Sequence, residues 1–443
     1  MKKIMTMGLA LLLMSSSWKA QAKDYRISSA KELDALHLKA GDRVLMAEGE
    51  WKDQQLKFKG NGTKGRPIVL MAANPGKTIL NGNSTLDIDG SWLLVEGLAF
   101  ANGRLDSGEV INFSEKSFSC RLTNTTVTDY NGANDQVDYT WVSLRGSHNR
   151  VDHCLLKGKN HQGVTLVVWL SDKPNYHQID HNYFGPRPEL GRNGGETIRI
   201  GTSTWSFYDS FTVVEQNIFD HCDGEIEAVS VKSCKNTIRN NLFYECKATL
   251  TLRHGNHSEV YGNYFIGNGK PGTGGVRIIG EDHLVRDNYF QDLTGTGNSA
   301  AISVMAGLPN PILVSHWQVK NARITDNLIL NCKEPFAIAA GYRTDRYLPA
   351  LNTYFGKNII VGNTEPLKWY DEKVVVNFEG NQILSASFSG QQGRGFELKN
   401  EQLKKTESGV FLRPGQADFK PFWESEQIGP SWISNLNKKI IIN

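Results

Sequence analysis

A six-residue pattern of apolar and polar positions recurs along the chain from Val95 to Ile383. Each copy has an apolar residue, two mostly polar positions, usually an Asn, any residue, and then Phe, Ile or Leu. Successive copies start 22 to 39 residues apart. A period of this length, with occasional longer intervals, is typical of a solenoid whose coils carry loops. The copies begin at Val95, Leu122, Val151, Ile179, Val214, Ile238, Val260, Val285, Ile324, Phe355 and Phe378.

The residues within and between the copies favour strands over helices. They are rich in Val, Ile, Phe, Tyr and Thr, with Asn and Gly between them, and no long stretch has a 3.6-residue period. We therefore predict an all-β, single-domain, right-handed parallel β-helix, in which one coil stacks on the next about 4.8 Å away. Residues at matching places in neighbouring copies should then be neighbours in space.

Two columns of this alignment predict side-chain stacks. The sixth place is mostly Phe, Leu or Ile, which indicates an apolar stack that points inward. The fourth place indicates an asparagine ladder at a turn, because side-chain amides bond along such a stack and Asn tolerates left-handed backbone. The asparagines of this column are Asn182, Asn217, Asn241, Asn263, Asn288, Asn327, Asn358 and Asn381.

Residues 1–22 have the features of a secretory signal peptide: a basic start, an apolar centre and a small-residue cleavage site at Ala20-Gln-Ala22. The apolar run is too short for a membrane span, which needs about 20 residues. We expect an exported protein, periplasmic or secreted, that begins at Lys23. Removing the three lysines of the leader lowers the formal net charge from +3 to 0. Nucleic acid is therefore not an expected partner.

The mature chain is interpreted as one domain in three parts. Residues 23–60 form an N-terminal cap and first strand, in which Ser29 and Glu32 make a capping box for a short helix through about Leu38. Such a helix would protect the exposed end of the solenoid from aggregation. Residues 61–384 form the β-helix, and residues 385–443 form a C-terminal tail that caps the same domain. We expect a monomer.

The six cysteines are predicted to be buried free thiols. An exported chain permits disulfides, but Cys222 and Cys246 fall in the same column of the alignment, where thiols can stack inside the solenoid. No C-x-x-C spacing indicates a zinc site.

A dense group of charged residues lies between Asn193 and Arg277. Glu225 and Glu227 are two residues apart, hence on one face of a strand, where like charges need a neutralising partner. Each of these glutamates lies 11 or 13 residues after the start of the copy that precedes it, and Asn193 and Arg253 lie 14 and 15 residues after the start of theirs. Lys232 lies 21 residues before Arg253. The residues predicted to meet on one outer face are Asn193, Glu225, Glu227, Lys232 and Arg253.

Two interpretations of this cluster are open from spacing alone. Asn and Glu oxygens are hard ligands that suit Ca²⁺, and three of them leave positions free for water and a substrate carboxylate. Alternatively, Glu225 and Glu227 pair with Lys232 and Arg253 as a ladder of surface salt bridges.

Four motifs in this region resemble polysaccharide lyase family 6, which contains chondroitinase B and alginate lyases. They are Asn193-Gly-Gly-Glu-Thr-Ile-Arg-Ile-Gly201, Asp223-Gly-Glu-Ile-Glu227, Ser230-Val-Lys-Ser233 and Leu250-Thr-Leu-Arg-His-Gly-Asn256. The resemblance covers most of the mature chain and implies that Asn193, Glu225 and Glu227 hold Ca²⁺, that Lys232 is the Brønsted base and that Arg253 is the acid. Longer family members carry a second β-helix domain that this sequence lacks.

The resemblance implies a Ca²⁺-dependent lyase that cleaves an acidic uronate polysaccharide by β-elimination and leaves a 4,5-unsaturated end. We expect alginate, rich in mannuronate, as the substrate. The first alternative is a lyase that acts on dermatan sulfate. The others are a β-helix glycoside hydrolase, which would need only paired carboxylates, and a non-catalytic sugar-binding protein. Side chains that would contact the polysaccharide are His254, Arg277, Tyr342, Arg343 and Arg346, with Trp141 and Trp205 against sugar rings.

Overall fold

The coordinates are a computed structural model that describes residues 22–362, 364–371, 375–384, 395–434, 436 and 440–442. Three parallel sheets of 14, 14 and 12 strands run the length of the molecule. Each typical coil contributes one strand to each sheet, and every strand pairs with the corresponding strands of the coils before and after it. The predicted right-handed parallel β-helix is confirmed.

The first sheet contains Asp24–Ile27, Arg43–Met46, Ile68–Ala72, Leu93–Glu96, Arg121–Thr123, Arg150–Asp152, Gln178–Asp180, Val213–Glu215, Thr237–Arg239, Glu259–Tyr261, Leu284–Arg286, Arg323–Thr325, Tyr354–Gly356 and Asn377–Glu379. The second contains Gly49–Lys52, Thr78–Gly82, Ala99–Gly103, Thr126–Thr128, Leu155–Lys157, Tyr183–Phe184, Ile218–Asp220, Leu242–Tyr244, Tyr264–Ile266, Tyr289–Gln291, Leu328–Leu330, Ile359–Val361, Asn381–Leu384 and Phe396–Lys399. The third contains Gln55–Asn61, Thr85–Ser91, Glu109–Phe113, Thr140–Leu144, Leu166–Val168, Ile198–Ile200, Glu227–Lys232, Thr249–His254, Val276–Ile278, Ile302–Met305, Phe336–Ala340 and Leu367–Trp369.

The asparagine ladder forms at the turn between the first and second sheets. All eight asparagines are fully buried, and each of the first seven donates from Nδ2 to Oδ1 of the next at 2.9 to 3.0 Å. The left-handed backbone was expected at the ladder asparagines, but it belongs to the residue before each one, such as His181 and Asn240, with φ of 55° and 53°. The turn thus bends one position earlier and leaves the amide free to point inward.

The inward apolar column is confirmed as a stack of aromatic rings. Successive centroids are 4.5 to 5.0 Å apart and the rings are within 10° of parallel. The stacked side chains are Phe184, Phe219, Phe243, Phe265 and Phe290. All six cysteines are buried and unbridged, as predicted. Side chains of this kind fill the interior of the solenoid and fix the register of one coil on the next.

A short helix, Ala30–Asp34, lies against the strand Gln55–Asn61 near the start of the solenoid. Ser29 Oγ accepts from Glu32 N as the capping box predicts, at 3.3 Å. The Glu32 carboxylate accepts from the backbone N–H of Ser28, at 2.7 Å, instead of from that of Ser29. The helix ends at Asp34, earlier than predicted. Lys39 N donates to Asp42 Oδ2 in the segment that follows, which leads into the strand Arg43–Met46.

The C-terminal tail (395–434, 436 and 440–442 of the described residues) runs back over the outer side of the second sheet. After the strand Phe396–Lys399 it carries a short helix, Phe422–Ser425. Trp423 is buried against Tyr264, and Glu426 bonds His181. Trp432 Nε1 donates to Asn124 O at 2.9 Å. The tail therefore touches coils that are far apart along the solenoid. Over the described residues, no helix has the length and apolarity needed to cross a membrane.

Candidate active site

The predicted charged residues converge on the outer face of the third sheet, where two β-bulges interrupt the strands. Ala228 is an extra residue in the strand Glu227–Lys232, and Arg253 is an extra residue in the neighbouring strand Thr249–His254. A bulge bends a strand and re-aims its side chains. Regular pairing resumes between the strand containing Arg253 and the next one, Val276–Ile278. The bulges thus set the directions of Glu227, Lys232 and Arg253 relative to one another.

Three carboxylates form the centre of the site. One oxygen from each of Glu196, Glu225 and Glu227 lies within 4.8 Å of the others, and Glu196 and Glu227 are buried. Burial, followed by repulsion from Glu196 and Glu227, raises the pKa of Glu225 to about 7, against the weaker effects of Lys232 and the Gly194 N–H. A bound cation or a proton would relieve the repulsion among these acids.

The local cations and donors only partly neutralise the three acids. Lys232 Nζ lies 3.3 Å from Glu196 Oε1, while Glu196 Oε2 is buried without a hydrogen-bond partner in the described chain. Ser230 Oγ donates to Glu227 Oε2 at 2.5 Å. The Gly194 N–H donates to Glu225 Oε2 at 3.1 Å. The oxygens that remain are hard donors of the kind that bind Ca²⁺.

Two glycines explain why the acids can approach so closely. A Cβ on Gly195 would lie 2.3 Å from Gly224 O, and a Cβ on Gly224 would lie 2.3 Å from Gly195 O. The two backbones therefore touch where the motifs beginning at Asn193 and Asp223 pass each other. Arg187 is buried beneath them and donates to the carbonyls of Glu196 and Gly163 at 2.7 and 2.8 Å. This arginine fixes the loop that carries Glu196.

Arginines surround the opposite side of Glu227. Arg277 Nη1 and Arg253 Nε lie 3.5 and 3.8 Å from Glu227 Oε1. Burial lowers the pKa of Arg253; Glu227 opposes this effect, and Arg277 and Arg346 add to it. Burial likewise lowers the pKa of Arg346, with further lowering from Arg343 and Arg277. Positive charge thus exceeds negative charge here, which suits an anionic ligand.

Two neutral histidines orient these arginines. His254 is buried, with Nδ1 3.5 Å from Arg253 Nη1 and Nε2 3.2 Å from Ser203 Oγ. Burial, then Arg253 and Lys232, lowers the pKa of His254 to about 3. His316 Nε2 lies 3.1 Å from Arg277 Nη2, and burial, then Arg253, Arg277 and Arg346, lowers its pKa to about 2. Each imidazole can therefore accept a hydrogen bond from its arginine.

Arg253 is also tied to a loop from a later coil. Its Nη2 donates to Val314 O at 3.0 Å and its Nη1 donates to Ser315 O at 3.1 Å. The guanidinium is therefore held from three sides, by Glu227, by His254 and by this loop. A lysine at this position could not make the same set of contacts, because its ammonium is a single point of charge.

The predicted residues occupy different parts of this region. Glu225, Glu227, Lys232, Arg253 and Arg277 come together as described. Asn193 is exposed and lines a groove of about 650 Å³ together with Glu225. Tyr342 is exposed, and Arg343 is exposed and paired with Asp345 at 2.6 Å; both lie on the turn that leads to Arg346.

Sequence reasoning missed Glu196 and His316, and it was wrong about Trp141. Trp141 is fully buried and its Nε1 donates to Tyr130 O at 2.8 Å, so it cannot lie against a sugar. Ile198 pairs with Val229, and Glu196 and Glu227 each stand two residues before these partners. The signal in the sequence was the likeness of Glu196-Thr-Ile198 to Glu227-Ala-Val229. Loops on both sides of Glu196 hide this register when offsets are counted from the repeated pattern.

The protein is thus a parallel β-helix that carries a carboxylate cluster, a lysine and several arginines on one outer face. The family model described as chondroitinase B matches residues 27–422. The chain therefore belongs to the chondroitinase B family, polysaccharide lyase family 6.

Several solved structures of the family resemble the chain closely. AlyGC, a family 6 alginate lyase, is 37% identical with a TM-score of 0.88 over 93% of this chain and 59% of its own. A mannuronic acid specific family 6 lyase from human gut microbiota is 33% identical with a TM-score of 0.80, over 94% of this chain and 98% of its own. The family 6 lyase Pedsa3628 from Pseudopedobacter saltans is 25% identical with a TM-score of 0.76, over 92% and 99%. No curated protein is significantly similar. The chain thus spans about three fifths of the length of AlyGC.

Proposed function

We propose that this protein is a Ca²⁺-dependent lyase that cleaves alginate, with a preference for mannuronate, by β-elimination. The observation that carries the proposal is a carboxylate cluster that contacts Lys232 through Glu196, at 3.3 Å, and Arg253 through Glu227, at 3.8 Å. A hydrolase would need only the carboxylates and would leave Lys232 and Arg253 without a role. Family membership and the alginate lyases among the related structures support the same reaction.

The carboxylate cluster fits a calcium ion. Glu196, Glu225 and Glu227 offer hard oxygen donors within 4.8 Å of one another, and one buried oxygen of Glu196 has no partner among the described residues. These three residues, with Asn193 at the rim of the groove, would hold the ion. When bound, Ca²⁺ would neutralise the carboxylate of a uronate and make its C5 hydrogen more acidic.

Lys232 is the proposed base. In its neutral form its Nζ would take the C5 proton, and the electron pair of the C–H bond would form the C4–C5 double bond as the C4–O bond breaks. Lys232 is largely buried, with 16% of its side chain exposed, so few alternative positions are open to the amine. A general base of this kind contributes about 10²- to 10⁴-fold to a rate.

Arg253 is proposed to act on the leaving oxygen at C4. Its guanidinium is fixed by Glu227, His254 and the loop carbonyls of Val314 and Ser315. A guanidinium rarely gives up its proton, so Arg253 would stabilise the negative charge on that oxygen while Lys232 or water returns a proton to it. Arg277 and Arg346 add positive charge beside it, which favours an acidic sugar chain.

The preference for mannuronate is supported by one relative. The mannuronic acid specific family 6 lyase from human gut microbiota is 33% identical, and this chain aligns with 98% of its length. A formal net charge of 0 for the mature chain also suits an unsulfated substrate better than dermatan sulfate.

The proposal is tested by following ultraviolet absorbance of the unsaturated product. Purified protein is incubated with polymannuronate, polyguluronate and dermatan sulfate, each with Ca²⁺ and with EDTA. We expect absorbance to rise fastest on polymannuronate, to stop with EDTA and to recover when Ca²⁺ is added back. New reducing ends without absorbance would contradict the lyase and favour a hydrolase, and no product from any polymer would contradict an enzyme of this class.

We also propose that the protein is exported and works as a monomer. The features of a signal peptide at residues 1–22 support export, but these residues, apart from Ala22, lie outside the described part of the chain. Mass spectrometry of the exported protein should show a chain that begins at Lys23, and light scattering should give the mass of one chain. A retained leader or a dimer would contradict the respective proposal.

A further inference from the structure

The first strand of the solenoid, Asp24–Ile27, is an end strand. In the described part of the chain it begins the first sheet and pairs there with Arg43–Met46. Lys23, the residue before it, extends this pairing, because its carbonyl accepts from Arg43 N at 2.8 Å. The end coils of a solenoid open most readily, since they have a neighbour on one side only. The contacts of Lys23 therefore help to decide how firmly the first coil is closed.

Asp42 is a buried carboxylate that binds this end of the chain. It is 3% exposed, and its Oδ1 accepts from the backbone N–H of Lys23 at 2.9 Å. Its Oδ2 accepts from the backbone N–H of Lys39, also at 2.9 Å. Arg43, the next residue, pairs with Asp24 instead, and no basic side chain of the described residues forms an ion pair with Asp42. A buried carboxylate without a charged partner is costly.

Lys23 is also the residue that follows the predicted cleavage site, Ala20-Gln-Ala22. Before cleavage its nitrogen belongs to a peptide bond and carries no charge. After cleavage the same nitrogen is an α-amine, which is protonated at neutral pH because its ordinary pKa is about 8. The hydrogen bond to Asp42 then joins two opposite charges, and a charge-assisted bond of this kind is roughly twice as strong as a neutral one.

The surroundings of Lys23 have room for the added charge. Ala22 is exposed, and Lys23 and Asp42 line a cavity of about 570 Å³. Water can therefore reach the protons of the ammonium that do not bond Asp42. His37 and Lys39 line the same cavity, but both are exposed, so solvent screens their repulsion of the new charge. Charge, and not size, is thus what distinguishes the two forms of the chain end.

We propose that Asp42 is a binding site for the α-ammonium group that removal of the leader creates on Lys23, and that this ion pair fastens the first coil of the solenoid. The inference rests on the export and cleavage that are part of the proposed function, and it does not depend on the lyase reaction. The strand Asp24–Ile27 is held by a neutral hydrogen bond while the leader is attached and by an ion pair once the leader is gone. Closure of the first coil is thereby coupled to processing of the chain.

The test compares two forms of the protein by hydrogen exchange and mass spectrometry. One form begins at Lys23, released from an N-terminal fusion by a protease that leaves no extra residue, and the other retains Ala20-Gln-Ala22 before it. We expect the amides of Asp24–Ile27 and Arg43–Met46 to exchange about tenfold more slowly in the form that begins at Lys23, as for a gain of one charge-assisted hydrogen bond. Amides of the central coils should exchange equally in both forms.

Two substitutions identify the carboxylate. Asp42→Asn removes the charge, so the difference between the two forms should disappear, whatever the substitution does to exchange in each form alone. Asp24→Asn is the matched control. It removes the exposed carboxylate beside Lys23, which pairs with Arg43, and it should leave the difference between the two forms unchanged.

Equal exchange in the two forms, or a difference that persists in the Asp42→Asn protein, would overturn the Asp42 site. An exported protein whose mass shows a first residue other than Lys23 would also overturn it. The absorbance assay on polymannuronate keeps this result separate from the lyase proposal, because exchange is measured without substrate. If the difference depends on Asp42 while neither form gives unsaturated product, the Asp42 site stands and the lyase proposal fails.

Discussion

At the scale of single residues, the position of Lys232 is fixed by a side-chain contact with one neighbouring coil and by backbone pairing with the other. Its ammonium lies 3.3 Å from Glu196, and its backbone pairs with His254 just past the bulge at Arg253. Removal of the side chain should therefore affect the reaction far more than the fold, because the strand Glu227–Lys232 keeps its pairing on both edges.

We predict that Lys232→Ala lowers kcat on polymannuronate by about 10²- to 10⁴-fold, the range for loss of a general base. Absorbance assays give kcat, and circular dichroism checks that the β-helix is intact. The control is Lys235→Ala, which removes an exposed lysine that pairs with Asp209 and lies 5.4 Å from the ring centroid of Phe211. Activity of the Lys232→Ala protein within a few-fold of the wild type would rule out this residue as the base.

Glu196 should matter for metal affinity, since a calcium site loses affinity as its carboxylates are removed. We predict that Glu196→Gln raises the Ca²⁺ concentration for half-maximal activity by about tenfold. Glu189→Gln, a change of an exposed groove residue paired with Lys247, serves as the control and should leave the Ca²⁺ requirement alone. A Glu196→Gln protein with an unaltered Ca²⁺ titration would place this residue outside the metal site.

The sequence was sufficient to predict that Glu225, Glu227, Lys232 and Arg253 meet on one outer face, because short coils keep these residues at similar offsets from the repeated pattern. Glu196 lies in a coil of 35 residues, whose additional loops break that counting. His316 comes from a loop inserted in a coil of 39 residues, and nothing in its sequence neighbourhood indicates that it reaches Arg277. Long-range contacts made by loops are the part that periodicity cannot reveal.

At the scale of structural elements, the asparagine ladder is a repeated contact that joins eight successive buried side chains. Each interior amide is satisfied by the asparagine of the next coil and by backbone carbonyls; Asn263, for example, donates to Asn288 and to Ile238 O. The sequence predicted this column, because a fixed residue type at a fixed place survives changes in loop length. The helix length at residues 30–34 was less predictable, since its packing on one strand decides where it ends.

Replacing one central asparagine should destabilise the solenoid. Asn263→Ala leaves buried backbone groups unpaired, so we expect the free energy of unfolding to fall by about 2–4 kcal/mol. Urea denaturation measures this difference. The exposed Asn160, whose side chain makes no hydrogen bond within the described residues, is the control, and its replacement by Ala should cost about 0.5 kcal/mol or less. Equal losses in the free energy of unfolding for the two changes would show that the ladder does not stabilise the solenoid.

The contact between the C-terminal tail and His181 should depend on pH. Burial lowers the pKa of His181, but hydrogen bonds to Asp180 and Glu426, each 2.8 Å long, raise it above its ordinary value of 6.5. A raised pKa in the folded state means that the stabilisation is complete below about pH 6.5 and is lost as the pH rises through the folded pKa.

We therefore predict that Glu426→Gln lowers the free energy of unfolding by about 0.5–1 kcal/mol at pH 6 and by much less at pH 9, as for a partly exposed ion pair. Thermal melts at the two pH values test the difference. Glu424→Gln changes an exposed residue of the helix just before Glu426 and should have no pH-dependent effect. A cost that is the same at both pH values would show that the charge on His181 is not involved.

At the scale of the whole molecule, stacked coils contact only their neighbours, and such solenoids tend to lose their end coils first. The tail opposes this behaviour. It bonds Asp326 through Arg413, His181 through Glu426 and Asn124 through Trp432, so it links coils that do not otherwise touch. A formal net charge of +3 over 443 residues places no strong self-repulsion on this arrangement.

Removal of the tail should make unfolding less cooperative. We predict that a chain ending at Asn400 unfolds in urea with a smaller m-value or in two steps, whereas the full chain unfolds in one. Fluorescence and circular dichroism followed together would reveal the separate transitions. Coincident single transitions in the shortened protein, with an unchanged m-value, would contradict a linking role for the tail.

The tail also has a consequence for the order of events in synthesis. A chain grows from its N-terminus, so each coil can stack on the one before it as soon as it is complete. The contacts of Glu426 with His181 and of Trp432 with Asn124 join residues 245 and 308 positions apart. They can form only after Glu426 and Trp432 have been made. The tail therefore joins coils that were completed long before it, and a chain that stopped before Glu426 would lack both contacts.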